Sequence, residues 1–89
     1  MTPDDRAHRI LKALAGGRTM PLAQLKRIAR DRALDYALDR AKTWDTVCHL
    51  GDLSLVVISA GVVRGTTALD QVLEAAERHW AAEGAGVHG

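Results

Sequence analysis

Phenylalanine is absent from this 89-residue chain, and aromatic residues make up only 3% of it. The core must therefore be aliphatic, and 47% of the chain is hydrophobic. A single cysteine, Cys48, excludes an intrachain disulfide and suits a reducing compartment. No segment approaches the roughly 18 apolar residues of a membrane helix, and Asp4 and Asp5 stand where a signal peptide would be basic. We expect a cytoplasmic protein.

Signatures of enzymes and metal sites are also missing. Cys48 and His49 are adjacent on a predicted strand, so their side chains would point to opposite faces and could not form a thiolate–imidazole pair. The four histidines and the cysteine lack the spacing of metal ligands, and no glycine-rich phosphate loop follows a strand. We expect no catalysis, no metal and no cofactor.

Charge is distributed unevenly along the chain. Residues 1–43 carry ten Lys/Arg against five Asp/Glu, which gives +5, whereas residues 44–89 carry two against six, which gives −4. The net charge of +1 therefore hides a basic half and an acidic half. A basic half of this kind favours a polyanionic partner.

Two capped amphipathic segments open the chain. Thr2, Pro3 and Asp5 have the order of a capping box, and Gly16-Gly17 predicts the end of the first helix. A second helix is expected to begin at Pro21. Both helices carry apolar residues at helical spacing: Ala7, Ile10, Leu11 and Leu14 in the first, and Leu22, Leu25, Ile28 and Ala29 in the second.

A third helix is predicted from about Arg32 to Thr43. Its apolar stripe, Leu34, Ala37, Leu38 and Ala41, does not continue the phase of the second helix. The intervening Arg30-Asp31-Arg32 contains no turn residue such as Gly, Pro or Asn. One unbroken helix from Leu22 to Thr43 is therefore the alternative.

From Val47 the spacing of the apolar residues changes from a helical period to that of a strand. Val47–Leu50 and Leu53–Ile58 flank the turn dipeptide Gly51-Asp52, which predicts a β-hairpin. A second capping box, Thr67–Asp70, opens a fourth helix, which Gly84 is expected to end. We expect a mainly α, α+β fold of three helices, a hairpin and a fourth helix. It would form one domain over residues 1–83, followed by a disordered tail over residues 84–89.

The stretch from Pro21 to Gly61 resembles the winged helix-turn-helix family. The similarity lies in four short motifs: Ala23-Gln24-Leu25, Ala37-Leu38, Gly51-Asp52 and Ile58-Ser59-Ala60-Gly61. The resemblance implies a trihelical core, the third helix as recognition helix, the hairpin as wing and the fourth helix as a dimerisation element. It also implies binding to double-stranded DNA, as in transcriptional regulators or mobile-element accessory factors.

The residues expected to contact DNA are mostly basic. On a helical wheel of the third helix, Arg32, Tyr36, Asp39, Arg40 and Thr43 face outward, where Arg could pair with guanine and Asp with cytosine. Phosphate contacts are expected from Arg18, Lys26, Arg27, Arg30 and Arg64. The alternative for Arg32 with Asp35, and for Asp39 with Lys42, is a pair of solvent-exposed ion pairs.

The fourth helix is the predicted homodimer interface. Its apolar face comprises Leu69, Val72, Leu73, Ala76 and Trp80. Trp80 lies too near the C-terminus for a small core to cover it fully, whereas Trp44 is expected to fill the core between the third helix and the hairpin. A rival interpretation of the whole chain is a protein-interaction module that binds no DNA.

Overall fold

The chain folds as α+β, with helices packed on one small sheet. The computed structural model describes the backbone of residues 1–88 and the side chains as far as Gly84. Over this part of the chain there are four helices and three strands, in the order α1 (Arg6–Leu14), β1 (Thr19–Pro21), α2 (Leu22–Ile28), α3 (Tyr36–Asp52), β2 (Val56–Ser59), β3 (Val62–Gly65) and α4 (Thr67–His88).

Helix α1 begins one turn later than the capping box predicted. Asp5 is its N-cap and accepts a hydrogen bond from the His8 amide at 2.8 Å. The other Asp5 oxygen accepts from the Thr2 amide at 2.7 Å, so Thr2 belongs to the preceding turn and is not the cap. Gly16 and Gly17, with φ of +76° and +74°, follow the helix and confirm its predicted end.

The sheet is antiparallel, with β3 between β1 and β2. Strand β1 was not predicted, because it has three residues and its partners lie some forty positions further along the chain: Thr19 pairs with Arg64 and Pro21 with Val62. Pro21 ends the strand and stands at the N-cap of α2. The Leu22 amide then donates to the Gly61 carbonyl at 2.9 Å, joining the helix to the hairpin turn.

The hairpin lies further along the chain than the sequence predicted. Strands β2 and β3 are connected by Ala60 and Gly61, which both have positive φ, as a two-residue hairpin turn of type I′ requires. The predicted turn at Gly51-Asp52 is wrong, and so is the predicted strand Val47–Leu50, because both lie inside α3. A β-branched residue such as Val47 also packs well on the buried face of a helix.

The predicted separation of the second and third helices is confirmed. Helix α2 ends at Ile28 and α3 begins at Tyr36, so the alternative of one continuous helix is wrong. Helix α3 nevertheless runs from Tyr36 to Asp52 and not from Arg32 to Thr43. Asp35 sets the actual start, because its carboxylate accepts from the Leu38 amide at 2.9 Å.

The core is aliphatic, as expected, and lies between α1, the sheet and the other helices. Its fully buried hydrophobic side chains are Ile10, Leu11, Leu14, Leu25, Val47, Val63 and Leu69. The backbones of β3 and α1 approach so closely that a Cβ atom at Gly65 would overlap the carbonyl oxygen of Leu14. Glycine is therefore needed at this position for steric reasons.

Helix α4 is held at its start by Thr66, one position before the predicted cap Thr67. The Leu69 amide lies 3.4 Å from the Thr66 hydroxyl, and Asp70 accepts from the Gly16 amide at 2.9 Å instead of completing a capping box. The helix continues beyond its predicted end at Gly84 to His88. The predicted disorder of residues 84–89 stays a prediction, since Gly89 and the side chains after Gly84 lie outside the described structure.

A membrane-spanning role finds no support in the described helices. None of them combines the length and the apolar character that crossing a bilayer requires.

Candidate nucleic-acid interface

A groove of about 450 Å³ lies between α2 and the first turns of α3. Ala23 and Tyr36 contribute to its walls, and the other lining residues are all basic. We call it the cationic groove, and its basic residues are Lys26, Arg27, Arg30, Arg32 and Arg40. No carboxylate is among the described residues that line it, so the groove is suited to an anionic partner.

Tyr36 organises two of these arginines. Its hydroxyl lies 2.8 Å from a terminal nitrogen of Arg40, which donates to it. The guanidinium carbons of Arg40 and Arg30 lie 5.1 and 5.6 Å from the centre of the tyrosine ring, within the range of cation–π attraction. Tyr36 is 62% exposed, whereas Arg30 and Arg40 are partly buried beside it.

A buried ionic cluster beneath the groove sets the position of α3. Asp39 is fully buried, and its carboxylate accepts from the Asp31 amide at 2.8 Å and from Arg6 at 2.9 Å. Its second oxygen lies 3.3 Å from Arg30, whose guanidinium also faces Tyr36. Asp39 therefore connects α1, the loop after α2 and the first turn of α3.

Arg6 makes the remaining contacts of this cluster. Its guanidinium donates to the carbonyl oxygens of Ala29 at 3.1 Å and of Asp39 at 3.2 Å, and to the Thr43 hydroxyl. Ala29 follows the last residue of α2, where carbonyl groups lack helical partners. One arginine thus satisfies the end of α2 and the buried face of α3 together.

The surroundings of Asp39 favour its charged form. The hydrogen bond from the Asp31 amide lowers the pKa of the Asp39 carboxyl; burial opposes this effect, and the guanidinium groups of Arg6 and Arg30 lower the pKa further. Asp39 is therefore a charged residue whose role is structural.

The predicted rotation of the third helix is wrong. Its buried residues are Asp39, Thr43, Val47 and Leu50, whereas the predicted inward residues Leu38 and Ala41 are exposed and Leu34 lies in the loop before the helix. The prediction placed polar residues outside, but Arg6 supplies a partner that makes burial of Asp39 and Thr43 favourable. Neither Asp39 nor Thr43 can contact DNA from this position.

The other predicted contact residues fall into two groups. Apart from Asp39 and Thr43, six were predicted in the stretch from α2 to α3. The structure brings all six side chains together in the cationic groove, although Arg32 lies in the loop and not on the helix: Lys26, Arg27, Arg30, Arg32, Tyr36 and Arg40. Arg18 and Arg64 lie at the sheet, where the Arg18 carbonyl accepts from the Gly65 amide at 3.0 Å. These two arginines do not line the groove.

An apolar surface on α3 was missed by the sequence interpretation. Ala37 and Ala41 are exposed, as are Leu38 at 44% and Trp44 at 41%. We call these four residues the outward face of α3. The prediction that Trp44 fills the core is therefore wrong, because the buried positions of the helix are taken by Thr43 and Val47.

The predicted dimer residues of α4 are divided between core and surface. Leu69 and Leu73 are buried in the protomer's own core, so their assignment to a subunit interface is wrong. Val72 is 39% exposed, and Ala76 and Trp80 are partly exposed. The Trp80 ring meets the edge of the His8 ring with 4.7 Å between centroids, so it packs partly on α1.

Cys48 and His49 lie on α3, not on a strand, so the prediction that they point to opposite faces of a strand is wrong. They are still about 100° apart around the helix, and His49 is exposed while Cys48 is partly buried. Among the residues that the structure describes, no group of three or more His, Cys, Asp and Glu side chains could hold a metal ion.

Comparison with known proteins adds no relative. No protein-family model matches the chain, and neither curated proteins nor solved structures gave a match.

Proposed function

We propose that this protein binds double-stranded DNA as a winged helix, with α3 in the major groove and the cationic groove against the phosphate backbone. The observation that carries this proposal is the cationic groove itself. Its basic side chains lie beside the exposed N-terminal turns of α3, the part of a recognition helix that meets base edges. A sequence-specific regulator or an accessory factor of a mobile element is the role we propose.

The winged-helix assignment is supported by element order. A short strand precedes α2, the hairpin of β2 and β3 follows α3, and β1 pairs with β3. In such an arrangement the hairpin is the wing. Arg64 is its exposed cation, and Arg18 lies next to Thr19, the residue paired with Arg64. We assign these two arginines to phosphates outside the cationic groove.

Phosphate binding predicts a steep dependence of affinity on salt. If the five cations of the groove and also Arg18 and Arg64 neutralise phosphates of a non-specific duplex, the slope of log K against log salt concentration is about −6.3. The experiment is fluorescence anisotropy with a labelled random-sequence duplex at several salt concentrations. We expect binding with a steep negative slope.

Two double variants with the same change in net charge test whether the phosphate contacts lie in the cationic groove. Replacing Arg27 and Arg32, both exposed in the groove, by Ala should reduce the magnitude of the slope by about 1.8. Replacing Lys12 and Arg78, exposed on α1 and α4, changes the net charge equally and should leave the slope unchanged. Absence of duplex binding, or equal effects of the two double variants, would contradict the proposal.

The rival function is a protein-interaction module, and one observation favours it. Leu38 and Trp44 expose apolar surface on α3, which a protein partner could cover. The salt series separates the two functions, because a module of this kind would not bind the duplex. Homodimerisation through the exposed part of α4 and a cytoplasmic location, which suits the free Cys48, belong to the DNA-binding proposal.

A further inference from the structure

We infer that the outward face of α3 reads thymine, by apolar contact with the C5-methyl groups that line the major groove. Three of its residues, Ala37, Ala41 and Trp44, form an apolar strip that makes this contact, and Arg40 beside them selects an adjacent guanine. The inference rests on the proposed DNA binding and gives it a sequence preference: runs of A·T pairs next to a G·C pair.

The positions of these side chains follow from the rotation of α3. At about 100° per residue, Ala41 lies about 40° and Trp44 about 20° from the direction of Ala37 around the helix. The buried Asp39 and Thr43 lie on the opposite side. The ionic cluster around Asp39 therefore turns this apolar strip away from the core and holds it there.

The chemistry of the strip determines what it can distinguish. Alanine has no side-chain donor or acceptor, and the indole of Trp44 has a single donor, so two of the three side chains can read a base only by shape and apolar contact. In the major groove the thymine methyl is the apolar feature that separates an A·T pair from the others. An alanine methyl is small enough to approach it closely.

Arg40 supplies the hydrogen-bonding part of the readout. It lies one position before Ala41, and its guanidinium donates to Tyr36 at the wall of the cationic groove. A guanidinium held in this way has further N–H groups for the O6 and N7 atoms of guanine. The geometry therefore combines one guanine contact with neighbouring methyl contacts.

The cationic groove beside the first turns of α3 favours DNA over protein as the occupant of the strip, although the exposed Asp45 follows Trp44 at its other end. Tyr36 and Arg40 line the cationic groove and also border Ala37 and Ala41 on the same turns of α3. A ligand that fills the groove with phosphates would bring its base edges to the strip. The cationic groove and the strip lie side by side on the protein, as the phosphate backbone and the major-groove base edges do on a duplex.

Thymine and uracil differ only in the methyl group, which gives a direct test. Two duplexes of identical sequence are compared, 20 or so alternating A·T pairs with a central G·C pair, one containing dT and the other dU throughout. Their charge and hydrogen-bonding groups are the same. We expect the dT duplex to bind about four-fold more tightly for each methyl that is contacted.

A matched pair of alanine variants assigns the preference to α3. Ala41→Ser places a hydroxyl on the strip and should reduce the ratio of dT to dU affinity by at least half. Ala75→Ser, at an exposed position of α4, carries the same helix-propensity penalty and should leave the ratio unchanged. Circular dichroism of both variants verifies that they are folded.

The outcomes separate this inference from the function on which it rests. Tight, salt-dependent binding with equal affinity for the dT and dU duplexes would overturn thymine reading and retain DNA binding. Failure to bind either duplex would overturn both. Equal affinities together with a dimer that Trp44→Ala dissociates would show that a second copy of the chain covers the strip, and would also overturn the inference.

Discussion

A single buried carboxylate, Asp39, determines which side of α3 faces the solvent. An isolated buried anion would be strongly unfavourable, but one oxygen of this carboxylate accepts from the Asp31 amide and from Arg6, and the other, which has no hydrogen-bond partner, lies 3.3 Å from the charged Arg30. Arg30 contacts both Asp39 and the ring of Tyr36. The residue that organises the interior is thereby coupled to the residues that line the groove.

The lowered pKa of Asp39 predicts a loss of stability in acid. A carboxyl with a depressed pKa in the folded state stabilises the protein fully above the unfolded-state pKa, near 3.8, and loses that contribution as the pH falls through the folded-state value. We expect the free energy of unfolding, measured with urea, to decrease between about pH 5 and pH 2. In Asp39→Asn this decrease should be smaller.

Two comparisons make this pH experiment decisive. The variant Asp52→Asn removes an exposed carboxylate from the other end of α3 and should retain the native pH profile. Partial burial raises the pKa of Asp5, but hydrogen bonds from the His8 and Thr2 amides outweigh it and leave the pKa lowered. Asp5 contributes equally to native protein and variants. Identical profiles for native protein and Asp39→Asn would contradict the assigned role of Asp39.

At the scale of residues, the basic side chains of the cationic groove could be predicted from the sequence, but the buried ionic cluster beneath them could not. Basic residues such as Arg27 and Arg40 are expected at the surface, and they lie there. Burial of Asp39 could not be predicted, because its partner Arg6 is 33 positions away and nothing local indicates that the two meet. A helical wheel that turns Asp39 toward the solvent turns Leu38 toward the core, whereas in the structure Asp39 is buried and Leu38 is exposed.

At the scale of elements, the start of α3 depends on Asp35. Its carboxylate caps the helix at the Leu38 amide, and the next turn carries Tyr36 and Arg40. Asp35→Ala should lower the free energy of unfolding by about 1 kcal/mol, because a free backbone donor loses its partner. Urea denaturation at neutral pH measures the change.

Restoration of the cap is the control for this prediction. Asp35→Ser keeps an oxygen that can accept from the Leu38 amide and should recover most of the lost stability. Asp52→Ala, at the last residue of the same helix, removes an anion from the negative end of the helix dipole and should not destabilise the protein. Equal losses for Asp35→Ala and Asp52→Ala would show that the cap is unimportant.

Helices with strong local signals were predictable, whereas of the strands only β2 (Val56–Ser59) overlaps a predicted one, Leu53–Ile58. Gly16-Gly17 ends α1 and the phase break after Ile28 separates α2 from α3, as expected from sequence. Strand β1 forms only because β3 is present, so no local pattern reveals it. The dipeptide Gly51-Asp52 has turn composition, but the hairpin turns at Ala60-Gly61 because Val62 and Val63 complete the sheet there.

At the scale of the whole molecule, the two halves differ in charge and in the surface they present. The basic half contributes the cationic groove, and α4 in the acidic half exposes Val72 beside partly exposed Ala76 and Trp80. An acidic surface would repel a duplex, so α4 would lie away from the DNA in the proposed complex. With Leu69 and Leu73 buried, Val72, Ala76 and Trp80 are the predicted residues left for the proposed dimer contact.

Sedimentation velocity tests the dimer. The native protein should sediment as a dimer at tens of micromolar, and Val72→Glu should shift it to monomer by placing a charge in the interface. Gln71→Glu adds a charge at the adjacent exposed position, where it should have little effect. A native protein that sediments as a monomer at this concentration would contradict dimerisation through α4.

The contact between Gly65 and Leu14 has a mechanical consequence. Since β3 lies directly on the backbone of α1, this contact leaves little room for the hairpin to shift relative to α1. In the proposed DNA complex, the hairpin and α3 would therefore meet the duplex at this relative angle. A duplex whose groove spacing does not match that angle must bend or twist to fit, so the stiffness of the target would contribute to its selection.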